Sequence, residues 1–525
     1  GYLFRRDGPA RRLDTLASSE LAAIAGNCAQ ELQSKFWGGY VAAIAEQECV
    51  RILRDPSGTF PSYYSRSRGS VAFASDAELL VDAAFSTASI DFDEIGRTLY
   101  RAFVPTPATA LRDIRELLAG FALCLPDGFD GAEAFWSPWD HVARHSDAPA
   151  AAAERLSRVV LHCIQAWAST GTPVLLSVSG GLDSSIIAAC LAKAGTRTVC
   201  LTMFTDDPAG DERPFARALC EHLGLPLIER PYRLEDIDIT APLAANQPRP
   251  RDRTQAVAHE RVHYSVAREI GVGAFMSGNG GDHVFGYSQS AAPIADRYLS
   301  EGPGQAMFAS LFDVCNQTGC SLVDALRQAW RLAHASPAYR VRPNPLFLDP
   351  DFIASLDSGD VRHAWLDAPA GALPGKAAHI ATILRVQPNL EPSGGTGFAL
   401  LNPLVSQPIV ETCLAVSSWE WRSGGRDRSL ARRAFARDLP PLILNRRVKG
   451  SPGRFAARLL DLFREPIRER LLGGRLASHR IIDSIALEQA LAGERPVPDL
   501  QRVRILELVN AEAWIDHWIA RAGTG

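Results

Sequence analysis

In residues 1 to about 125, the apolar residues occur in short runs, and these runs are separated by residues typical of turns. Proline fixes φ, aspartate and serine bond locally, and glycine permits positive φ, so RDPSG at 54–58 predicts a turn. The runs around such turns predict short strands, the first two paired as a hairpin: 38–45, 48–53, 62–64 and 71–75. A helix is predicted at 76–84, capped by Ser75 or Asp76. We interpret 105–149, which is rich in Pro, Gly and Asp, as the connection between two domains.

From Ala151 the apolar positions recur at helical spacing, which predicts an amphipathic helix at 152–169. A continuous apolar run at 173–178 is typical of a buried parallel strand. A glycine loop, a helix at 184–194 and a strand at 198–204 then complete a βαβ unit. A helix at 211–223 and a strand at 227–228 extend this alternation, and 290–525 is mostly helical in pattern. The chain is therefore predicted to be α/β, with domains 1–150 and 151–525.

Composition excludes several classes of protein. The net charge of -4 argues against a general nucleic-acid binder, and no apolar run approaches the ~18 residues of a membrane span. The N-terminal segment has no apolar core typical of a signal peptide. None of the ten cysteines forms a Cys-x-x-Cys pair. We therefore expect buried free thiols rather than disulfides or zinc ligands, in a cytoplasmic protein.

The run SGGLDSS at 179–185 lies between a predicted buried strand and a helix. Its glycines allow backbone N–H groups to curl around an anion, the helix N-terminus adds positive charge, and Ser179, Ser184 and Ser185 add hydroxyl donors. No lysine follows the glycines, so a metal must supply the missing charge, and Asp183 is placed to hold magnesium. A glycine turn that only caps a helix is the alternative.

A second glycine-rich loop, SGNGGD at 277–282, follows the apolar strand 273–276. Loops after neighbouring parallel strands meet at one edge of a sheet, so Asp282 is predicted to hold the same magnesium ion. The alternative is a surface turn with a capping aspartate. His283 comes next and is a candidate general base, although a helix-turn residue without a catalytic role is the favoured interpretation. Asp206, Asp207, Asp211 and Glu212 either line the cleft or cap the helix near 211.

The chain contains only four lysines among 55 basic residues, and one of them is Lys449 in RRVKGSP at 446–452. A compact ammonium acts on a developing oxyanion differently from a planar guanidinium. Lys449 is therefore a candidate catalytic residue, with an exposed basic residue as the alternative.

These segments together resemble the asparagine synthetase superfamily, and the resemblance covers most of the chain. It implies an N-terminal glutaminase-like αββα sandwich and a C-terminal ATP pyrophosphatase domain with a PP-loop, a parallel sheet and a helical last part. Active glutaminase domains of that superfamily begin with a nucleophilic cysteine, whereas Gly1 and Tyr2 stand first here and the first cysteine is Cys28. We therefore expect the N-terminal domain to be degenerate and structural.

Within the superfamily, five segments are similar to the lasso peptide cyclases: 277–282, 373–379, 402–408, 424–428 and 447–452. That resemblance implies an ATP- and Mg²⁺-dependent ligase that activates an Asp or Glu side chain of a leader-free core peptide. The N-terminal amine of the peptide then closes a macrolactam, with release of AMP and pyrophosphate. Its expected partners are the linear core peptide, a leader peptidase and a leader-recognition protein.

The predicted site comprises Lys449 and His283 for catalysis, and Asp183 and Asp282 for magnesium. The predicted contacts to ATP and pyrophosphate are Leu176, Ser177, Val178, Ser179, Gly180, Gly181, Leu182, Asp183, Ser184, Ser185, Met203, Ser277, Gly278, Asn279, Gly280 and Gly281. Three alternatives stay open: a β-lactam synthetase, an ammonia-dependent asparagine synthetase, and a non-catalytic nucleotide-binding scaffold. The intact aspartates and Lys449 argue against the scaffold.

Overall fold

The architecture comes from a computed structural model. It describes residues 1–45, 49–102, 104–125, 131–143, 147–205, 210–251, 256–336, 338–356, 363–390, 400–447, 452–493 and 497–522, apart from the side chains of 28, 29, 256–258 and 452–455.

The N-terminal part is built on three small antiparallel sheets, with strand orders β1-β2, β3-β4-β8-β9 and β6-β5-β7. Exposed and half-buried residues alternate along β3, which suits a strand with one face turned towards the protein interior. The strands are β1 Tyr2–Arg5, β2 Phe36–Gly39, β3 Val41–Ala45, β4 Val50–Arg54, β5 Tyr63–Ser67, β6 Ser70–Ala74, β7 Arg115–Glu116, β8 Phe121–Leu125 and β9 Glu133–Ala134. The helices are α1 Ser18–Gly26, α2 Cys28–Lys35, α3 Ala77–Asp82 and α4 Phe92–Tyr100.

The predicted hairpin is confirmed, because β3 and β4 pair with Val41 opposite Arg54. The helix at 76–84 is also confirmed as α3, with the Asp76 side chain accepting from the amide of Glu78 at its N-cap. The prediction of 105–149 as a connection is wrong, since β8 lies inside the largest N-terminal sheet between β4 and β9. Its five residues are too short an apolar run to stand out between glycine- and proline-rich loops. The helices α1, α2 and α4 were not predicted.

The C-terminal part contains a five-stranded parallel sheet of order β12-β11-β10-β13-β14. Its strands are β10 Val174–Ser177, β11 Thr198–Phe204, β12 Leu227–Pro231, β13 Ala274–Met276 and β14 Leu400–Leu401. The central strand β10 buries Val174, Leu175 and Leu176 completely, as the continuous apolar run predicted. The predicted βαβ unit and the α/β class with a helical last part are therefore confirmed.

Helices cover the sheet and form most of the chain after residue 280. Those near the sheet are α5 Pro149–Ala168, α6 Leu182–Lys193, α7 Arg213–Leu223, α8 Ala256–Ile270 and α9 Gly281–Val284. The next group is α10 Ala292–Glu301, α11 Gln305–Thr318, α12 Leu322–Ala333, α13 Pro350–Ser355, α14 Pro374–Val386, α15 Gln407–Leu414, α16 Ser429–Ala434 and α17 Pro441–Leu444. The last are α18 Pro452–Leu462, α19 Arg464–Leu472, α20 Arg475–Ser478, α21 Ser484–Leu491 and α22 Asp499–Ala522.

One apolar core joins N-terminal strands to helices of the C-terminal part. The Phe4 ring meets Trp167 of α5 edge to face at 5.0 Å between centroids. Charge reinforces this contact, because Arg6 donates to both carboxylate oxygens of Glu411 on α15 at 2.6 and 2.9 Å. A second core contains residues of both α4 and the long helix α22, and Arg504 of α22 donates to the Leu99 carbonyl of α4 at 3.3 Å. The N-terminal sheets are thus fixed against the parallel-sheet part at two places.

The prediction for the cysteines is wrong at one pair. Cys49 and Cys124 form a disulfide, with their Cα atoms 5.9 Å apart. β4 and β8 are neighbours in the sheet with Arg51 opposite Cys124, and this pairing brings two residues distant in sequence within bonding range. The free thiols that are buried, as expected, are Cys163, Cys190, Cys200, Cys220 and Cys413.

Over the described part of the chain, none of the helices has the length and apolar character needed to cross a bilayer.

Candidate adenylating site

The first glycine loop connects β10 to α6 at the carboxyl edge of the parallel sheet. Gly180 adopts φ 62°, a left-handed conformation that favours glycine, and a Cβ there would lie 2.2 Å from Cβ of Phe215. Hydrogen bonds inside the loop fix its shape: Ser184 and Ser185 donate to the Gly181 carbonyl at 3.3 and 2.8 Å. The hydroxyls of these two serines are therefore engaged in shaping the loop.

The second loop lies directly against the first. It follows β13, which pairs with β10 in parallel with Met276 opposite Leu176. A Cβ at Gly278 would lie 2.7 Å from the backbone nitrogen of Ser184, and one at Gly281 would lie 2.7 Å from Cβ of Asp183. Only glycine permits this approach, so the predicted meeting of the two loops at one sheet edge is confirmed.

Asp183 and Asp282 converge on one nitrogen atom. Nη1 of Arg428 donates to both oxygens of Asp183, at 3.0 and 2.8 Å, and also to Asp282. Arg428 donates through Nε to Asp427 at 2.7 Å. Burial lowers the pKa of Arg428, but the charges of these three aspartates outweigh that effect and raise it above its ordinary value. The guanidinium stays charged and joins the two loops electrostatically.

The two carboxylates suit a divalent cation bound together with phosphate. Their oxygens lie within hydrogen-bond range of one point, and carboxylate oxygen is the donor that Mg²⁺ prefers. Across the ranges that the structure describes, no group of three or more His, Cys, Asp or Glu side chains could hold a metal. Asp183 and Asp282 would therefore supply two ligands, and phosphate oxygens and water the others.

A cleft of about 300 Å³ opens beside the loops, and four arginines and two aspartates are among its lining residues. Arg446 reaches the first loop, donating to the Ser179 carbonyl at 2.9 Å and to Glu212 at 2.6 Å. The cleft is lined by Gly181, Leu182, Asp282, Tyr287, Gln289, Gln317, Asp427, Arg428, Arg432, Ile443, Arg446 and Arg447. Four arginines around a glycine loop provide charge for a polyphosphate.

Several predicted contacts have other environments. Leu176 and Val178 are buried in the apolar core, while Met203 is half-buried on β11. The Ser277 hydroxyl donates to Asn402 at 2.8 Å, and the Asn279 amide donates to the Asn389 carbonyl at 3.1 Å. These side chains hold the second loop in place.

The catalytic candidates are only partly placed. Lys449, Asp206 and Asp207 lie outside the described residues. His283 is half-buried on α9 and is not among the described residues that line the cleft. Asp211 pairs with Arg213 at 2.8 Å. Glu212 pairs with Arg446, so it helps to position an arginine of the cleft.

Sequence reasoning missed three residues of this region. Arg428 stood in a segment noted only for its resemblance, although an arginine beside Asp427 in a glycine-rich turn was a visible signal. Arg446 was noted only as a neighbour of Lys449. His263 gave no signal: it lies on α8 and its Nε2 is 3.1 Å from the Ser177 hydroxyl. Burial lowers the pKa of His263 to about 3, so this imidazole is neutral.

Comparison with protein families identifies the scaffold. The family model described as asparagine synthase matches residues 155–387 and 393–516, which together exceed half of the chain. The chain belongs to the asparagine synthase family. A glutamine amidotransferase domain model matches residues 17–136. No curated protein matches the chain significantly. Membership in the asparagine synthase family implies an ATP-dependent ligase that forms C–N bonds.

Proposed function

We propose that the chain is a lasso peptide macrolactam synthetase. The observation that carries the ATP-dependent half of this proposal is the junction of the two glycine loops, where Asp183 and Asp282 converge beside a basic cleft. The peptide-specific half rests on the resemblance of five segments to lasso peptide cyclases. One of these segments, 424–428, contains the arginine that joins the two loops.

The proposed reaction has two steps. A side-chain carboxylate oxygen of the core peptide attacks the α-phosphorus of ATP, and pyrophosphate leaves. The N-terminal amine of the peptide then attacks the acyl carbon, loses a proton, and displaces AMP together with the original carboxylate oxygen. A bound Mg²⁺ ion supplies positive charge to the departing pyrophosphate.

The residues of the chain divide this work. The first loop offers backbone N–H groups and the N-terminus of α6 to phosphate oxygens. The arginines of the cleft add charge-assisted donors. We propose that Lys449, which follows Arg446 and Arg447 of the cleft wall, stabilises the oxyanion formed during amine attack. The cleft must also hold the peptide in a conformer close to the closed ring.

We propose a structural role for the N-terminal part, as a degenerate glutaminase-like sandwich. Two residues of its turn at 54–58 are buried and therefore not accessible to a substrate: Arg54 is 2% exposed and Asp55 is 0% exposed. Arg54 donates to Glu116 at 2.7 Å and to the Gly58 carbonyl at 3.1 Å. Burial raises the pKa of Asp55 to about 6. These groups serve the fold.

A single incubation separates the proposed function from its rivals. The full chain is mixed with ATP, Mg²⁺ and the leader-free core peptide, and AMP and peptide mass are measured. Cyclisation predicts AMP release with loss of one water from the peptide. The matched control is the same peptide with an acetylated N-terminus, which can be adenylated but cannot close the ring.

Other outcomes would contradict the proposal. AMP release that depends on aspartate with ammonia or glutamine, and is unaffected by peptide, would identify an asparagine synthetase. Ring closure on a small β-amino acid derivative would identify a β-lactam synthetase. Nucleotide binding without AMP release would leave a scaffold. An Asp183→Ala variant with full turnover would contradict the cation assignment.

A further inference from the structure

Arg428 is held by acidic side chains on two sides. Its Nη1 donates to Asp183 and Asp282, one from each glycine loop, while Nε donates to Asp427. The Arg428 side chain is 7% exposed, and that of Asp183 is 5% exposed. The charged hydrogen bonds from Arg428 to Asp183 are therefore poorly screened, whereas the Asp282 side chain, at 37% exposed, is partly open to solvent.

The backbone of Arg428 also has an unusual conformation. Arg428 adopts φ 52° and ψ 35°, in the left-handed region that non-glycine residues rarely occupy, and it forms the N-cap of α16. Gly424 and Gly425 just before it have φ 77° and 66°. Strained residues of this kind persist where the surrounding structure over-determines them. Here the tight turn at 424–428 aims the guanidinium at both loop carboxylates.

A divalent cation would need the same carboxylate oxygens. The oxygens of Asp183 and Asp282 that accept from Nη1 are those that converge on a common point. A guanidinium nitrogen and a metal ion cannot both occupy this point, because two positive charges would then lie in direct contact.

We propose that Arg428 competes with the divalent cation for Asp183 and Asp282. Binding of the cation requires the Arg428 guanidinium to leave the two carboxylates. The guanidinium then donates its hydrogen bonds to phosphate oxygens of the nucleotide. The cation alone should therefore bind weakly, and cation and polyphosphate should bind cooperatively. This inference rests on the proposed function only in taking the two aspartates as the cation site.

The test measures binding to the full chain without peptide or turnover. Mn²⁺ alone, and in a separate series inorganic pyrophosphate, is titrated calorimetrically into the wild type and into Arg428→Gln. The matched control is Arg433→Gln, which removes the same charge from an exposed position of the same helix. Arg428→Gln should bind Mn²⁺ on the order of tenfold more tightly than the wild type, because a charged hydrogen-bond partner has been removed.

The same variant should bind pyrophosphate on the order of tenfold more weakly. Changes of opposite sign for the two ligands separate competition from a structural defect, which would weaken both. Mn²⁺ affinity equal to that of the wild type and of Arg433→Gln would overturn the proposal.

Folding of Arg428→Gln is checked by circular dichroism. A variant that is unfolded alone and folds when Mn²⁺ is added supports competition. If it stays unfolded, Arg428→Lys is measured instead. Its compact ammonium bridges the two carboxylates less well than a guanidinium, so Mn²⁺ affinity should rise several-fold. An unchanged Mn²⁺ affinity would overturn the inference. Absence of peptide cyclisation would contradict the proposed function but leave this result intact.

Discussion

The Glu411→Gln substitution tests how firmly the N-terminal part is joined to the parallel-sheet part. Glu411 accepts both guanidinium contacts of Arg6, at 2.6 and 2.9 Å, and further bonds from Trp136 at 3.2 Å and Gln407 at 2.8 Å. The side chains of Arg6 and Glu411 are only 22% and 12% exposed. Glutamine keeps the shape but removes the charge and one acceptor.

We expect Glu411→Gln to lose about 2 kcal/mol of unfolding free energy. Breaking a fully buried pair costs roughly 3–5 kcal/mol, and the partial exposure of Arg6 reduces this value. The assay is urea unfolding, followed through the first transition by tryptophan fluorescence. The matched control is Glu269→Gln, because Glu269 makes a similar two-oxygen contact to Arg230, at 3.0 and 2.8 Å, but the pair is 39% and 56% exposed. It should change the stability by no more than experimental error.

The pKa of Glu411 determines how the stability difference between wild type and Glu411→Gln changes with pH. Burial raises the pKa of Glu411, but the hydrogen bond and charge of Arg6 outweigh it, so the pKa lies below its usual 4.5. The stabilisation is therefore complete above pH 4.5 and is lost as pH falls through the lowered folded-state pKa. The difference between wild type and Glu411→Gln should shrink as the solution is acidified below pH 4.5. A difference independent of pH, or equal losses in Glu411→Gln and Glu269→Gln, would refute the reasoning.

Three further predictions concern the site and the thiols. Gly281→Ala places a Cβ 2.7 Å from that of Asp183, so AMP-forming turnover should fall at least about tenfold. The control Gly304→Ala has open space around its Cβ and should not change turnover. Equal effects of the two substitutions would contradict the loop contact. His283→Ala should have a turnover within about threefold of the wild type, because His283 is not among the described residues that line the cleft. A loss near 100-fold would instead support His283 as the general base. Alkylation of the denatured, unreduced chain should leave Cys49 and Cys124 unlabelled, and labelling of both would exclude the Cys49–Cys124 bond.

The site was predictable where chemistry is local in sequence. A buried strand, a glycine run and a helix in succession fix the position of an anion-binding loop, because backbone amides and the helix terminus are set by neighbouring residues. The two loops at 179–185 and 277–282 could be placed at one sheet edge for the same reason. Arg428 could not be assigned a role, because it comes 245 positions after Asp183 in sequence and its contacts depend on a left-handed turn.

The sequence by itself determined the class of the fold, the strand–loop–helix unit and the two aspartates. Hydrophobic periodicity and glycine content carry that information over short windows. Only the tertiary structure decided what those groups face: Arg428 between the two carboxylates, Glu411 against Arg6, and Cys49 bonded to Cys124. These contacts join distant segments, and their geometry follows from strand order and packing of the whole chain, which no local pattern encodes.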